Sequence, residues 1–318
     1  MTHAHNYYPD YLWRNQSRVP LEGNVVRAVG RGGVATKRTE YSHDLFTAEA
    51  LSFIEKNQQR PFFLYLALTI PHANNEAGGD GMEVPDASLY KDREWPQPQK
   101  NHAAMITRLD DTVGQVVEKL RVLDLSRNTL LLFTSDNGPH AEGGADPKFF
   151  NSSGGLRGHK RDLYEGGIRV PLIAHWPGTV PAGQTTDHLS AFWDFVPTVA
   201  EVAGVQSPRQ IDGVSFLPTL LGKPDQQPKH DFLYWEFHER GSKQAARNGK
   251  WKLVRELGGR SELYDLQSDP GELLNVAEQN PTVVQSIESM LQTSRTEPAK
   301  SHHGVESNRF QKQDNNGN

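Results

Sequence analysis

Thr129-Leu130-Leu131-Leu132-Phe133-Thr134-Ser135-Asp136-Asn137-Gly138 is the stretch on which the fold turns. Thr129 to Thr134 is uncharged and apolar at four consecutive positions, which reads as a strand buried on both faces. The segment then breaks into polar residues and a glycine. Upstream, His102 to Arg121 sets Ile106, Leu109, Val113, Val116 and Leu120 at spacings of three and four, the pattern of an amphipathic helix. Earlier still, Phe62-Phe63-Leu64-Tyr65-Leu66-Ala67-Leu68 reads as another strand apolar on both faces. A helix over Thr47 to Gln59 precedes it, with Ala50, Leu51 and Ile54 inward and Pro61 ending it. Downstream, Val170 to Trp176 is a third strand, and Asp194 caps a helix that ends at Gly204, with Pro197 in its first turn. Helices alternating with buried strands predict a layered α/β domain over residues 1–225.

The pattern changes from about residue 226. Asp231 to Phe237 and Glu262 to Leu266 read as strands, and Asn248-Gly249 between Gln244–Arg247 and Lys250–Arg255 signals a hairpin. Asn280-Pro281 opens a helix to about Gln292. These elements predict a small C-terminal α+β subdomain over 226–300, followed by a polar tail, 301–318, expected to be disordered. Residues 1–45 read as loop-rich, and 73–100, with their prolines and glycines, as an excursion over the surface.

Composition narrows the function classes. The 318 residues are 36% hydrophobic and 23% charged with a formal charge of −5, a globular composition without the basic footprint of a nucleic-acid partner. The longest apolar run, Pro61 to Ile70, is far below the roughly 20 residues of a membrane span. Cysteine is absent, which excludes disulfides, thiolate metal sites and a cysteine-derived nucleophile within these residues. Met1-Thr2-His3-Ala4-His5-Asn6-Tyr7-Tyr8-Pro9 has no apolar core of a signal peptide and reads like the middle of a fold.

Two strands end in polar residues, Leu68-Thr69-Ile70-Pro71-His72 and Phe133-Thr134-Ser135-Asp136-Asn137-Gly138, and open α/β sheets bind ligands at the carboxyl ends of strands. Asp136 and Asn137 offer hard oxygen ligands suited to Ca²⁺ or Mg²⁺. The same residues also make a tight turn after a strand, and taken alone they favour the turn. Leu156 to Pro171 then gathers Arg157, His159, Lys160, Arg161 and Arg169 among glycines. Such a segment beside a metal suits an oxyanion, and otherwise reads as a solvated basic loop.

Phe133-Thr134-Ser135-Asp136-Asn137-Gly138-Pro139, followed by Lys160-x-x-x-Tyr164-Glu165-Gly166-Gly167-Ile168-Arg169-Val170-Pro171, resembles the sulfatase family within the alkaline-phosphatase-like superfamily. Tyr65 to His72, Leu109-Asp110-Asp111-Thr112-Val113-Gly114, Trp176-Pro177-Gly178, Glu262 to Leu266 and Asp269-Pro270-Gly271-Glu272 resemble other segments of it, in the family's order. The resemblance runs from His3 to about residue 295. It implies an alkaline-phosphatase-like layered α/β/α domain, partial at its N-terminus, with the small C-terminal subdomain. It implies arylsulfatase-type hydrolysis of a sulfate monoester on a small molecule or glycan. Asp136 and Asn137 would be Ca²⁺ ligands, with Mg²⁺ as a substitute. Lys160 would contact the sulfate, and His72 would bind the sulfate or the leaving oxygen and serve as general acid.

The family's nucleophile is a formylglycine made by a maturation enzyme from Cys or Ser in Cys/Ser-x-Pro-x-Arg, and neither form occurs here. The family's early Asp-Asp pair and Lys-x-His segment are also missing, so the chain reads as N-terminally truncated, its sheet edge and apolar surface expected to be uncovered. Asp110 and Asp111, adjacent on a helix, do not share a face and read as surface or packing residues. His3 and His5 resemble a metal-ligand pair. The family is commonly exported, so a periplasmic or secreted location is expected for a full-length member. Two other readings stay open: a phosphoric or phosphonic ester hydrolase of the same superfamily, and a non-catalytic binder of sulfated glycan or an inactive remnant.

Overall fold

The computed structural model describes residues 5–296 except 31, 209, 240 and 257. The chain sorts into two compact units. One comprises Met1–Leu131, His140–Phe150 and His175–Thr179, and the other Leu132–Pro139, Asn151–Ala174 and Val180–Asn318.

The first unit begins with two hairpins, where the sequence suggested only loops. β1 (Tyr11–Arg14) pairs antiparallel with β2 (Ser17–Pro20), and β3 (Val25–Arg27) with β4 (Val34–Lys37). Asn15, at φ 56°, turns the first of them, as asparagine tolerates the left-handed region better than most residues. α1 (Ser42–Asn57) and α2 (Gln97–Val122) follow. They are joined by buried polar contacts as well as apolar ones: His43 Nε2 lies 2.9 Å from Thr112 Oγ1, and Thr47 Oγ1 lies 3.1 Å from the same atom. The buried face of α2 runs through His102, Met105 and Thr112, while Ile106 of the expected stripe is 46% exposed. The core gathers Tyr7, Tyr8, Tyr41, Ile70, Ala73, Met82 and Met105. Residues 73–83, expected over the surface, therefore lie partly inside: Ala73 and Asn74 are fully buried, and Met82 and Glu83 nearly so.

Phe62–Leu68 forms no strand among the described residues, contrary to the sequence reading. The segment is extended but unpaired, with Phe63 and Tyr65 70% and 73% exposed. An apolar run makes a strand only when a neighbouring backbone takes its N–H and C=O groups, and none of the described segments does so here.

In the second unit, β5 (Leu131–Thr134) pairs with β6 (Leu172–His175), the strands expected around 129–134 and 170–176. β6 leaves Leu172 and Ile173 exposed. A four-residue helix, α3 (Glu165–Ile168), precedes β6. α4 (Phe195–Val202) follows a single 3₁₀ turn, Phe192–Asp194. Asp194 does not cap α4 forward. Fully buried, its carboxylate accepts the Ala191 and Val214 amides at 2.7 and 2.8 Å and lies 2.8 Å from His230 Nε2. It ties three segments together instead. A second short helix, α5 (Leu217–Leu220), leads to the C-terminal sheet.

That sheet has the order β10-β9-β8-β7, all antiparallel, from β7 (Leu233–Phe237), β8 (Lys243–Asn248), β9 (Trp251–Glu256) and β10 (Glu262–Asp265). The expected hairpin forms one residue later than the Asn-Gly pair suggests. Asn248 pairs with Trp251 as a strand residue, and Gly249-Lys250 make the turn with positive φ at Gly249 alone, the geometry of a II′ turn. Side chains alternate across the two faces. Ala246, Leu253 and Leu263 pack on Ile287 and Leu291 of α6 (Pro281–Ser294), while Ala245 and Val254 pack on Leu163. Both faces are thus covered, and a fully buried leucine such as Leu253 or Leu263 contributes about 1.5–3 kcal/mol of transfer free energy. Asn280 stands before α6, but its side-chain amide reaches back to the Val276 carbonyl at 2.9 Å. No helix among the described residues is long and apolar enough to cross a membrane.

Candidate functional site

Three of the four residues singled out in the sequence lie in the second unit. The loop leaving β5 is fixed locally, Ser135 Oγ donating to the Asn137 carbonyl and Asn137 Nδ2 to the Gly138 carbonyl, each at 2.9 Å. It is then locked to the basic segment, the Gly138 amide donating to the Gly167 carbonyl at 2.9 Å and the Lys160 amide to the Pro139 carbonyl at 2.8 Å. The backbones approach so closely that a Cβ on Gly138 would stand 1.9 Å from the Gly166 carbonyl oxygen. A Cβ on Gly166 or Gly167 would stand 2.3 or 2.2 Å from the carbonyl oxygens of Gly158 and Asp162. Only glycine permits that crossing. It brings the backbones of Asp136, Asn137 and Lys160 together.

Asp136 is exposed, while Asn137 and Lys160 are half-buried. Because Asn137 spends its N–H on Gly138, its amide oxygen is left to accept. With the Asp136 carboxylate it forms a hard-oxygen pair of the kind Ca²⁺ takes. Among the described residues, no group of three or more His, Asp or Glu side chains is arranged to hold an ion. By themselves Asp136 and Asn137 offer two of the about 6–8 oxygens that Ca²⁺ normally takes.

The segment carrying Lys160 is clamped at both ends by residues to which the sequence reading assigned no role. At its start, Arg157 lies over the Tyr164 ring at 3.8 Å, donates to Tyr264 at 2.6 Å and to the Glu272 carbonyl at 3.2 Å, and stands 3.5 Å from Glu262. Burial and hydrogen bonds to the Glu262 carboxylate raise the Tyr164 and Tyr264 hydroxyls well above the ordinary phenol range. At its end, Glu165 is buried against Lys252, which has no exposed surface at all. Lys252 Nζ donates to Glu165 Oε1 at 2.9 Å and forms an ion pair with Glu272 Oε1 at the same distance. Glu272 closes the triad by accepting the Glu165 amide at 2.6 Å. Burial pushes the Glu272 carboxyl up, and Lys252 pulls it partly back. The one sequence signal for this network was Tyr-Glu-Gly-Gly beside a strand. Lys252 was hidden because a lysine in a strand usually faces water.

His72, the fourth residue, belongs to the first unit. Its Nδ1 lies 2.7 Å from the Ala73 carbonyl oxygen, its ring stacks on His5 with centroids 4.0 Å apart, and its carbonyl accepts the Tyr7 hydroxyl. Beyond it stand His140, 5.7 Å away between centroids, and His102, 5.7 Å from His140. His102 is lowered to about 4 by burial and by the neighbouring His140. Of the suggested His3–His5 pair, His3 lies outside the described residues. Asp110 and Asp111 are exposed on α2.

The family model described as Sulfatase matches residues 2–205, and the one described as N-sulphoglucosamine sulphohydrolase, C-terminal, matches residues 158–310. The chain belongs to the sulfatase family. It is 30% identical over 297 residues to the N-acetylgalactosamine-6-O-sulfatase of Bacteroides thetaiotaomicron, covering 83% of this chain and 53% of that protein. It is 35% identical over 195 residues to the steryl-sulfatase of Rattus norvegicus, covering 59% of this chain and 31% of that one. The chain thus spans between about a third and about a half of these curated relatives. The crystal structure of Ps i-CgsB matches with a TM-score of 0.71 at 27% identity, over 87% of this chain and 60% of that one. The same protein has been solved in complex with k-i-k-neocarrahexaose. These sulfatase neighbours bear out the alkaline-phosphatase-like α/β fold expected from the motifs.

Proposed function

We propose that the protein carrying this chain is a sulfuric ester hydrolase acting on a sulfated glycan. The observation that carries the reading is the glycine-locked crossing of the Asp136-Asn137 loop with the Lys160 loop, which sets two hard oxygen donors and an ammonium group on neighbouring backbones. The glycan substrate is supported by the names of the relatives, an N-acetylgalactosamine-6-O-sulfatase among them, and by the oligosaccharide held by the structural neighbour.

In this reading Asp136 and Asn137 hold Ca²⁺, which when bound supplies positive charge to the nonbridging sulfate oxygens. Lys160 places its ammonium against a sulfate oxygen and offsets the charge that grows there in the transition state. His72 is the proton donor to the leaving alcohol oxygen. The Ala73 carbonyl accepts from Nδ1, so the proton delivered is the one on Nε2. The formylglycine nucleophile lies outside these 318 residues, and a formylglycine-generating enzyme matures it.

The test is paired turnover of an aryl sulfate, an aryl phosphate and sulfated galactosamine oligosaccharides by the complete gene product, produced with its maturation enzyme. Preferred cleavage of sulfate, lost by about 10²–10³ in Lys160→Ala, is the expected result. Preferred cleavage of phosphate would move the assignment to the phosphoric ester hydrolases. Binding of sulfated sugar without turnover would make the protein a glycan binder.

A further inference from the structure

We propose that Glu142 is the positioning residue of His72, holding the Nε2 edge of the imidazole beside a carboxylate so that the ring carries its second proton. A carbonyl oxygen can only accept, so the 2.7 Å contact with Ala73 assigns a proton to Nδ1 of His72. The atom left to gain or lose a proton is Nε2, and Glu142 Oε2 stands 3.8 Å from it. The two side chains are only 19% and 17% exposed, so water and salt screen their attraction weakly. At that separation, and without a direct hydrogen bond, the carboxylate acts through its charge, which favours the imidazolium.

The loop bearing Glu142 is built to stay where it is. His140 Nε2 lies 2.9 Å from the Pro71 carbonyl oxygen and so carries its proton there. Its Nδ1 accepts the Glu142 amide at 3.2 Å. His140 thus joins the residue before His72 to Glu142 through one hydrogen bond at each ring nitrogen. Gly143, at φ +62°, lets the chain turn against Ala73, where a Cβ would come within 2.4 Å of the Ala73 methyl. Gln99 holds the far side, donating to the Gly144 carbonyl at 3.1 Å. Among the described residues, the titratable groups facing His72 include Glu142, the stacked His5 ring and His140, with the Tyr7 hydroxyl on its backbone carbonyl. Of these, Glu142 brings the negative charge.

That the proton so held goes to a leaving alcohol rests on the sulfatase reading; the coupling of the two side chains does not. The experiment therefore reads the coupling itself. Histidine C2-hydrogen exchange followed by mass spectrometry between pH 5 and 9 gives the proton affinity of each histidine in the 318-residue chain. In Glu142→Gln the proton affinity of His72 is expected to fall about tenfold, with that of buried His43 unchanged. Glu142→Asp, which keeps the charge, is expected to restore most of it. A merely structural role for Glu142 would not give that order. A His72 affinity equal to the wild type's in both variants, or equally lowered in both, would overturn the proposal. Failure of the complete protein to cleave sulfate esters would remove the proton-donor role and leave the measured coupling in force.

Discussion

Lys252→Met is the perturbation with the largest consequence worked from the structure. The ammonium of Lys252 has no exposed surface and stands 2.9 Å from the carboxylates of both Glu165 and Glu272, themselves 2% and 0% exposed. Methionine fills much the same volume and removes the charge. Glu165 keeps Arg247 at 3.6 Å and Arg169 at 3.9 Å, so it stays partly compensated. Glu272 keeps only the amide of Glu165 among the partners described. Removing one partner of a buried ion pair costs about 3–5 kcal/mol, because the other charge stays desolvated and unmatched. Against a typical domain stability of about 5–15 kcal/mol, that is about a fifth of the total or more. Urea unfolding at pH 7 should show the midpoint falling with the slope unchanged.

The sign of the pH effect follows. Without Lys252 the Glu272 carboxyl, already raised by burial, rises further. A group whose folded pKa lies above its unfolded one stabilises the fold at low pH and loses that contribution as pH rises. The deficit of Lys252→Met should therefore be smaller at pH 5 than at pH 7. Adding Glu165→Gln and Glu272→Gln should recover most of the loss, since the buried charges then disappear together. A loss below about 1 kcal/mol, or one independent of pH, would refute the argument that Lys252 neutralises a buried carboxylate pair.

Gly138→Ala should destabilise by at least about 1–3 kcal/mol, since its Cβ would overlap the Gly166 carbonyl oxygen and that atom is backbone; a wild-type urea midpoint would contradict the tight crossing. Burial lowers His43 and His102 to about 4, so the unfolded chain binds protons that the fold does not. Stability should then fall between pH 7 and 5.5 by about 1 kcal/mol for each histidine, read from denaturant midpoints. The raised carboxyls of Glu83 and Glu272 act in the opposite direction. If Asp136 and Asn137 hold Ca²⁺, millimolar Ca²⁺ should raise the melting temperature of the wild type and not of Asp136→Ala.

The residues proposed for the site are local patterns in the sequence. Asp136 and Asn137 directly after an apolar strand, Lys160 in a basic glycine-rich segment and His72 after Ile70-Pro71 are local patterns, and each can be found without knowing what lies opposite it. The strand at 131–134 and the helices at 42–57, 97–122 and 281–294 were legible for the same reason, because their signals repeat along the chain. Family membership rests on those linear patterns too.

Tertiary structure alone decided what depends on a partner distant in sequence. Phe62–Leu68 has the composition of a strand, yet no described backbone pairs with it, and it stays extended with Phe63 and Tyr65 in solvent. Lys252 reads as an exposed strand lysine until Glu165, 87 residues away, closes over it. Glu142 sits in a loop without any motif, and only the fold sets it 3.8 Å from His72. The physical reason is common to all three. Burial, ion pairing and strand pairing are energies of contact, and a contact across 60 or more residues leaves no periodic trace in the sequence.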